Sequence, residues 1–193
     1  MQVKLFLIRG VIAVAWALAF ATTFDSLTTG TAVLLVLYPV IDVVATAIDA
    51  RRQQGTARRW LIANAVVSAV AAVSLGIAAT GSKSDVLAVF GVWALLSGIA
   101  QFVVAWRRRA VLGWQVPMLL AGGFSTIVGV AFLLMATMPD PTLRPIVLYT
   151  ATGGVDFVVE AWLLRRKVRK AATSAGTTET TSETAPGLRA VQS

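Results

Sequence analysis

Six long apolar segments alternate with short polar ones along this chain, and each is about the length of a membrane-spanning helix. The clearest covers residues 86–106 and stops at Arg107, Arg108 and Arg109. At a rise of 1.5 Å per residue, roughly 20 apolar residues cross the roughly 30 Å hydrocarbon layer of a bilayer. A guanidinium at the bilayer centre costs about 2.5 kcal/mol or more, so three arginines mark the end of the span.

The same pattern predicts an all-α membrane protein with six transmembrane helices. The membrane domain is expected to cover residues 1–170. Residues 171–193 are rich in Thr, Ser, Ala and Glu and are predicted to form a disordered cytoplasmic tail. A solvated end is the simplest interpretation of the tail, and a partner-binding or phosphorylated segment is the alternative. The predicted spans are residues 5–24, 31–50, 60–79, 86–106, 115–138 and 146–164.

Basic residues predict the orientation, because they favour the cytoplasmic side of short loops. Fourteen Lys or Arg lie at the amino terminus, after spans two and four and after span six, whereas the opposite turns hold only Lys83 and Arg144. Both termini are therefore expected in the cytoplasm. The residues that carry this prediction include Arg51, Arg52, Arg58, Arg59, Arg107, Arg108, Arg109, Arg165, Arg166 and Lys167.

An internal repeat relates the even-numbered spans. A shift of 56 residues superposes Gly98 on Gly154 and Trp106 on Trp162, and it takes Asp42 onto Gly98. Each unit contains two spans, so the repeats run in the same direction through the membrane. The prediction is three parallel-repeat helical hairpins, in which each even helix pairs with the odd helix before it.

The first span has a second interpretation, a cleavable signal peptide with a basic start and Ala19-x-Ala21 as the cleavage site. We expect the span to be retained, because its removal would leave the second span without its hairpin partner.

The segments GVWALLSGIAQFVVAWRRR and GGVDFVVEAWLLRRK, with the Ser97-Gly98 pair and the basic stops, resemble the HdeD family of bacterial acid-resistance membrane proteins. The resemblance covers approximately residues 1–170. It implies an integral inner-membrane protein, linked in some members to survival in acid, and it carries no catalytic motif.

The composition excludes several kinds of binding site and catalytic group. The chain is 57% hydrophobic and 13% charged, which is typical of membrane proteins. Its net charge of +8 comes from basic residues clustered at span ends, so we do not expect nucleic acid binding. There is no cysteine or histidine, which removes disulfides, Cys/His metal sites and Ser-His or Cys-His pairs. We therefore expect no cofactor, no metal and no enzyme activity.

Several polar residues interrupt the spans. Asp42 and Asp156 each lie nine residues inside a span, about 13 Å from the cytoplasmic boundary, and Glu160 follows Asp156 by one helical turn. One hypothesis is a proton-responsive cluster in the bundle interior, made of Asp42, Asp156, Glu160, Asn64 and Gln101. The other is that these groups only hold helices together by hydrogen bonds, with Arg9 neutralising Glu160.

Glycines in the spans predict close helix packing, because small residues let helix backbones approach. The candidates are Gly91, Gly98, Gly122, Gly123, Gly129, Gly153 and Gly154.

The sequence thus favours an integral membrane protein of the HdeD type that contributes to acid or envelope stress resistance and has no defined catalytic activity. The alternatives are a small transporter or proton-conducting channel, and a scaffold for other membrane proteins. The expected partners are the lipid bilayer and either further copies of the chain, as a homo-oligomer, or other membrane proteins.

Overall fold

Six helices make up the described part of the chain. The computed structural model describes residues 2–112 and 116–183, and its regular secondary structure there is helical throughout. The all-α prediction is confirmed for these residues. The helices are α1 (Gln2–Phe20), α2 (Thr29–Ala50), α3 (Gly55–Ala78), α4 (Lys83–Leu112), α5 (Val116–Met135) and α6 (Arg144–Glu183).

Five of the helices are long and apolar enough to cross a membrane. These stretches are Thr29–Ala50, Gly55–Ala78, Lys83–Arg107, Met118–Met135 and Arg144–Leu163, and α1 contributes a shorter apolar stretch, Leu7–Phe20. The outer surface carries large apolar side chains, among them Ile77 and Ile127, which are 68% and 70% exposed. Lipid is the solvent that accommodates such a surface, so the chain is a multi-pass membrane protein.

Polar turns fix where the helices begin. The Thr31 amide donates to Thr28 Oγ1 at 3.2 Å and so caps α2. Before α4, the Ser82 amide donates to Asp85 Oδ2 at 2.9 Å and the Asp85 amide donates to Ser82 Oγ at 3.2 Å, which is a reciprocal capping box. Helix α3 starts at Gly55 with φ of 60°, a left-handed conformation that favours glycine.

The closest helix packing joins α2 with α3, α4 with α5, and α6 with α1. Helices α2 and α4 finish at the same end of the bundle. We term this end the arginine end, since Arg51, Arg58 and Arg107 lie there. The predicted hairpins α1–α2, α3–α4 and α5–α6 have less extensive contacts. In two of the three close pairs, α4–α5 and α6–α1, glycines on the facing sides let the helix backbones meet. The six helices therefore form a closed ring.

Aromatic side chains fill the ring in the half farther from the arginine end. Phe90 of α4 is fully buried, and its ring centroid lies 5.7 Å from that of Phe132 of α5 and 6.0 Å from that of Tyr149 of α6. Tyr38 of α2 lies 5.6 Å from Trp93, edge to face. We term these five residues the aromatic cluster; it joins four helices through contacts favourable for aromatic rings.

Helix α6 continues through Glu183, into the segment for which composition predicts disorder. Residues 184–193 lie outside the described residues.

Candidate functional site

Asp42, on α2, gathers polar side chains from two other helices. Asn64 Nδ2 and Ser68 Oγ of α3 both donate to Asp42 Oδ2, at 2.9 Å and 2.8 Å. Arg9 Nη2 of α1 forms an ion pair with Asp42 Oδ1 at 3.0 Å. We term these four residues the polar network; it ties α1, α2 and α3 together in the half of the bundle nearer the arginine end.

The network extends to two further helices. Trp93 Nε1 of α4 donates to Ser68 Oγ at 2.9 Å, so the network meets the aromatic cluster at this residue. On the other side, the Arg9 guanidinium carbon lies 4.6 Å from the ring centroid of Phe157 of α6, a cation–π contact. Five of the six helices thus contribute to one connected set of contacts.

Both oxygens of Asp42 are occupied, as a charge in a low-dielectric region requires. The Arg9 and Asp42 side chains are 19% and 20% exposed, so the ion pair is mostly but not wholly removed from solvent. A carboxylate is tolerated in such a place only when donors surround it. The arrangement can hold a negative charge.

The structure separates the five predicted cluster residues. Asp42 and Asn64 are in the polar network, whereas Gln101 is partly buried on α4 and makes no hydrogen bond with Asp42. Asp156 is exposed on α6, and Glu160 is partly buried, where the charges of Arg9 and Asp156 act on it.

Arg9 forms an ion pair with Asp42, and the Phe157 ring of α6 lies against its guanidinium. The charge of Arg9 also acts on Glu160, the partner that the sequence suggests.

Sequence reasoning missed Ser68 and Trp93. Ser68 follows Asn64 by four residues, which places both on one face of α3, so helical spacing was an available signal. Trp93 lies within an apolar run, and nothing in the sequence distinguishes its indole N–H as a donor to α3.

Glycine pairs bring α4 and α5 together at two points. A Cβ built on Gly91 would lie 2.9 Å from the Gly129 carbonyl oxygen, and one on Gly98 would lie 2.8 Å from the Gly122 carbonyl oxygen. The antiparallel helices therefore meet backbone to backbone, two turns apart along each helix.

A third glycine pair closes the ring. A Cβ on Gly10 of α1 would lie 2.8 Å from the Gly154 carbonyl oxygen of α6. The sequence interpretation did not include Gly10. Of the predicted set, Gly123 and Gly153 are not at close crossings, because their nearest atoms would be 4.0 Å away.

The repeat explains where the polar network lies. Positions 42, 98 and 154 are equivalent under the 56-residue shift, and so are positions 10, 66 and 122. Two helix pairs use glycine at both positions, Gly98 with Gly122 and Gly154 with Gly10. In the α2–α3 pair the same positions hold Asp42 and Val66, so these helices meet through side chains, and Asp42 binds α3 by hydrogen bonds.

The arginine end also carries repeated aromatic contacts. The Arg109 guanidinium carbon lies 3.1 Å from the Trp106 ring centroid, and that of Arg166 lies 3.6 Å from the Trp162 centroid. Trp106 and Trp162 are equivalent in the repeat. Tryptophan beside arginine is typical of the membrane interface. The side chains of Arg108 and Lys167 lie outside the described residues.

Within the part of the chain that the structure describes, no group of three or more Asp or Glu could hold a metal ion.

Comparison with known proteins gives one match. The model of a family described as a short repeat of unknown function (DUF308) matches residues 86–134, about a quarter of the chain. The matched segment begins in the first turns of α4 and ends near the end of α5. Searches of the curated proteins and of the solved structures gave no match. The α4–α5 pair, the one with two glycine crossings, is therefore similar to the repeat that this family describes.

Proposed function

We propose that this chain is a bacterial inner-membrane protein with six spans in three two-helix repeats and both termini in the cytoplasm. It contributes to resistance against acid or envelope stress and catalyses no reaction. The observation that carries the proposal is the Arg9–Asp42 ion pair within the polar network. The resemblance to the HdeD family and the short-repeat match support the class of protein, and the arginine end supports the orientation.

The physical basis is the loss of one charge from a paired site. Loss of the Asp42 charge would leave the Arg9 guanidinium in the membrane without its carboxylate. Breaking a buried pair in this way costs about 3–5 kcal/mol, and less here because each side chain is about a fifth exposed. Without that charge, α1 would be held less firmly against α2 and α3.

Three other ionisable groups lie near this ion pair. Tyr38 of α2 and Tyr149 of α6 lie within electrostatic range of Asp42, and Glu160 of α6 lies within range of Arg9.

A transporter or proton-conducting channel is the alternative from another class. Conduction needs a continuous polar path, and the aromatic cluster fills the bundle between Asp42 and the end away from the arginines. This packing favours a protein that responds to protons over one that conducts them.

A scaffold that binds other membrane proteins would depend on the outer surface and not on Asp42.

The test is Asp42→Asn, which removes the charge but keeps the size of the side chain. Asp49→Asn is the matched control, since Asp49 lies on the same helix and makes no ion pair within the described residues. Each variant is expressed in a strain that lacks the protein, and survival and cytoplasmic pH are measured after a shift to acid. We expect Asp42→Asn to behave like the deletion and Asp49→Asn like the wild type.

Glu160→Gln extends the test to the second acid. We expect it to reduce acid survival less than Asp42→Asn, because the ion pair of Arg9 with Asp42 remains. Normal survival with Asp42→Asn at normal protein levels would refute the proposal. Loss of a proton flux in vesicles made with that variant would favour the channel instead.

A further inference from the structure

A groove of about 380 Å³ runs along the outside of the α2–α3 pair. Its walls are small and branched apolar side chains, among them Val43 and Ala47 of α2 and Ile62 and Val66 of α3. Val66 is 58% exposed and Ile62 is 44% exposed, so the groove opens to the surroundings of the bundle and not to its interior. In a membrane protein that surrounding medium is lipid.

Two arginines line the groove at the arginine end. Arg51 follows the last residue of α2, and Arg58 lies in the first turn of α3. Guanidinium groups bind phosphate strongly, because their donors match the spacing of its oxygens. Asp49 is the acid nearest to Arg51 in sequence, and it does not line the groove. The groove therefore has apolar walls along its length and two positive charges at the arginine end.

The depth of the groove matches one membrane leaflet. Arg51 and Val43 are eight residues apart on α2, which corresponds to about 12 Å along a helix. The hydrocarbon layer of one leaflet is about half of the roughly 30 Å core. A groove that begins at the headgroup level thus continues through most of the acyl layer on that side.

The repeat indicates why this pair carries the groove. Val66 occupies the position at which α5 has Gly122 and α1 has Gly10, and in those pairs helix backbones meet directly. In α3 the valine side chain is exposed on the outer side of the pair and forms part of the groove wall.

We propose that this groove binds one anionic phospholipid from the leaflet at the arginine end. Arg51 and Arg58 hold the headgroup phosphate, and one acyl chain lies along the apolar wall. Basic pockets between transmembrane helices on the cytoplasmic side are suited to anionic headgroups. Neither the ion pair of Arg9 nor the stress role enters this argument, so the lipid site stands or falls separately from the proposed function.

The experiment uses the purified full-length chain in discs with equal amounts of phosphatidylglycerol and phosphatidylcholine. Native mass spectrometry counts the lipid molecules that stay bound to the protein when it is released from the discs. The test variant is Arg51→Gln/Arg58→Gln, and the matched control is Arg52→Gln/Arg59→Gln, which removes the same charge from the same loop without touching the groove. We expect the test variant to lower phosphatidylglycerol binding by roughly 25-fold, at about fivefold for each arginine, and the control to lower it only a few-fold.

A second pair of variants tests the apolar wall. Ala69 lines the groove at its inner end, whereas Val70 beside it is 60% exposed and does not line it. Ala69→Phe should fill the groove and reduce retention of the lipid, and Val70→Phe should leave retention unchanged.

Equal losses in the two double arginine variants would overturn the proposal, because they would indicate general attraction to the surface. Equal retention of phosphatidylcholine and phosphatidylglycerol by the wild type would also overturn it. Helix content by circular dichroism and a single peak on size exclusion establish that each variant is folded before it is counted. If the arginine variants fail this check, the comparison of Ala69→Phe with Val70→Phe decides the result.

Discussion

A methyl group at Gly98 tests how closely α4 and α5 must approach. A Cβ there would lie 2.6 Å from the Thr126 amide nitrogen and 2.8 Å from the Gly122 carbonyl oxygen. Ordinary contact begins at 3.4 Å, so the two backbones must separate by about 0.8 Å to admit the methyl group. Both obstructing atoms belong to the backbone, and no side-chain rotation can relieve the contact.

The expected cost follows from a comparison of two alanine variants. Overpacking of this kind costs about 1–3 kcal/mol. Alanine also favours helix over glycine by about 1 kcal/mol in water, which would hide part of that cost. Gly123→Ala is the matched control, because its new methyl group would meet only Phe102 Cδ2, at 4.0 Å. The helix preference cancels in the difference, so Gly98→Ala should be less stable than Gly123→Ala by about 1–3 kcal/mol.

The assay is unfolding of the purified protein in mixed micelles by increasing dodecyl sulfate, followed by tryptophan fluorescence. The free energies of unfolding of the two variants are compared at the same detergent composition. Equal stability would refute the argument, since it would mean that α4 and α5 can separate without loss. The double variant Gly98→Ala/Gly129→Ala should then also unfold like the wild type, whereas we expect it to be the least stable of the set.

Two further predictions concern the ends and the core. Ser82→Ala removes the two hydrogen bonds that the Ser82 hydroxyl makes with Asp85 and should lower the free energy of unfolding by about 1 kcal/mol. Ser84→Ala alters no described hydrogen bond and should stay close to the wild type; equal losses in the same dodecyl sulfate titration would contradict the capping role. Phe90→Ala empties the centre of the aromatic cluster and should cost about 3–5 kcal/mol, measured in the same way. Phe102→Ala is its control, because that ring is 40% exposed, and an equal loss there would show that the cluster is not the core.

Much of the architecture could be predicted from apolar run length and basic stops, because both reflect the thickness and charge of a membrane. The pairing of helices could not be predicted in the same way. Short turns suggested that α3 pairs with α4, yet α4 packs most closely on α5, where Gly91 and Gly98 meet Gly129 and Gly122. Between helices in lipid there is little hydrophobic driving force, so the position of small residues decides which faces meet. The 56-residue shift, applied also to the odd helices, would have aligned Gly10 with Gly122.

The polar network was partly visible in the sequence. Asp42 and Asn64 stood out because polar residues are rare in apolar runs, but their sequence positions alone did not give the rotation of α1 and α6. That rotation places Arg9 on Asp42 and leaves Asp156 exposed. Asp42 and Asp156 are the same residue type at the same depth, and they differ in role because their helices are rotated differently. That rotation depends on all six helices at once.

The contact between α1 and α6 has a consequence for synthesis. Of the six described helices, α1 is made first and α6 last, yet the most extensive contact of α1 is with α6, through Gly10 and Gly154. Until α6 is inserted, α1 has only its lesser contact with α2, so the ring cannot close while the chain is being made. A circularly permuted chain, which starts at α2 and ends with α1, would place every close pair consecutively and could fold pair by pair.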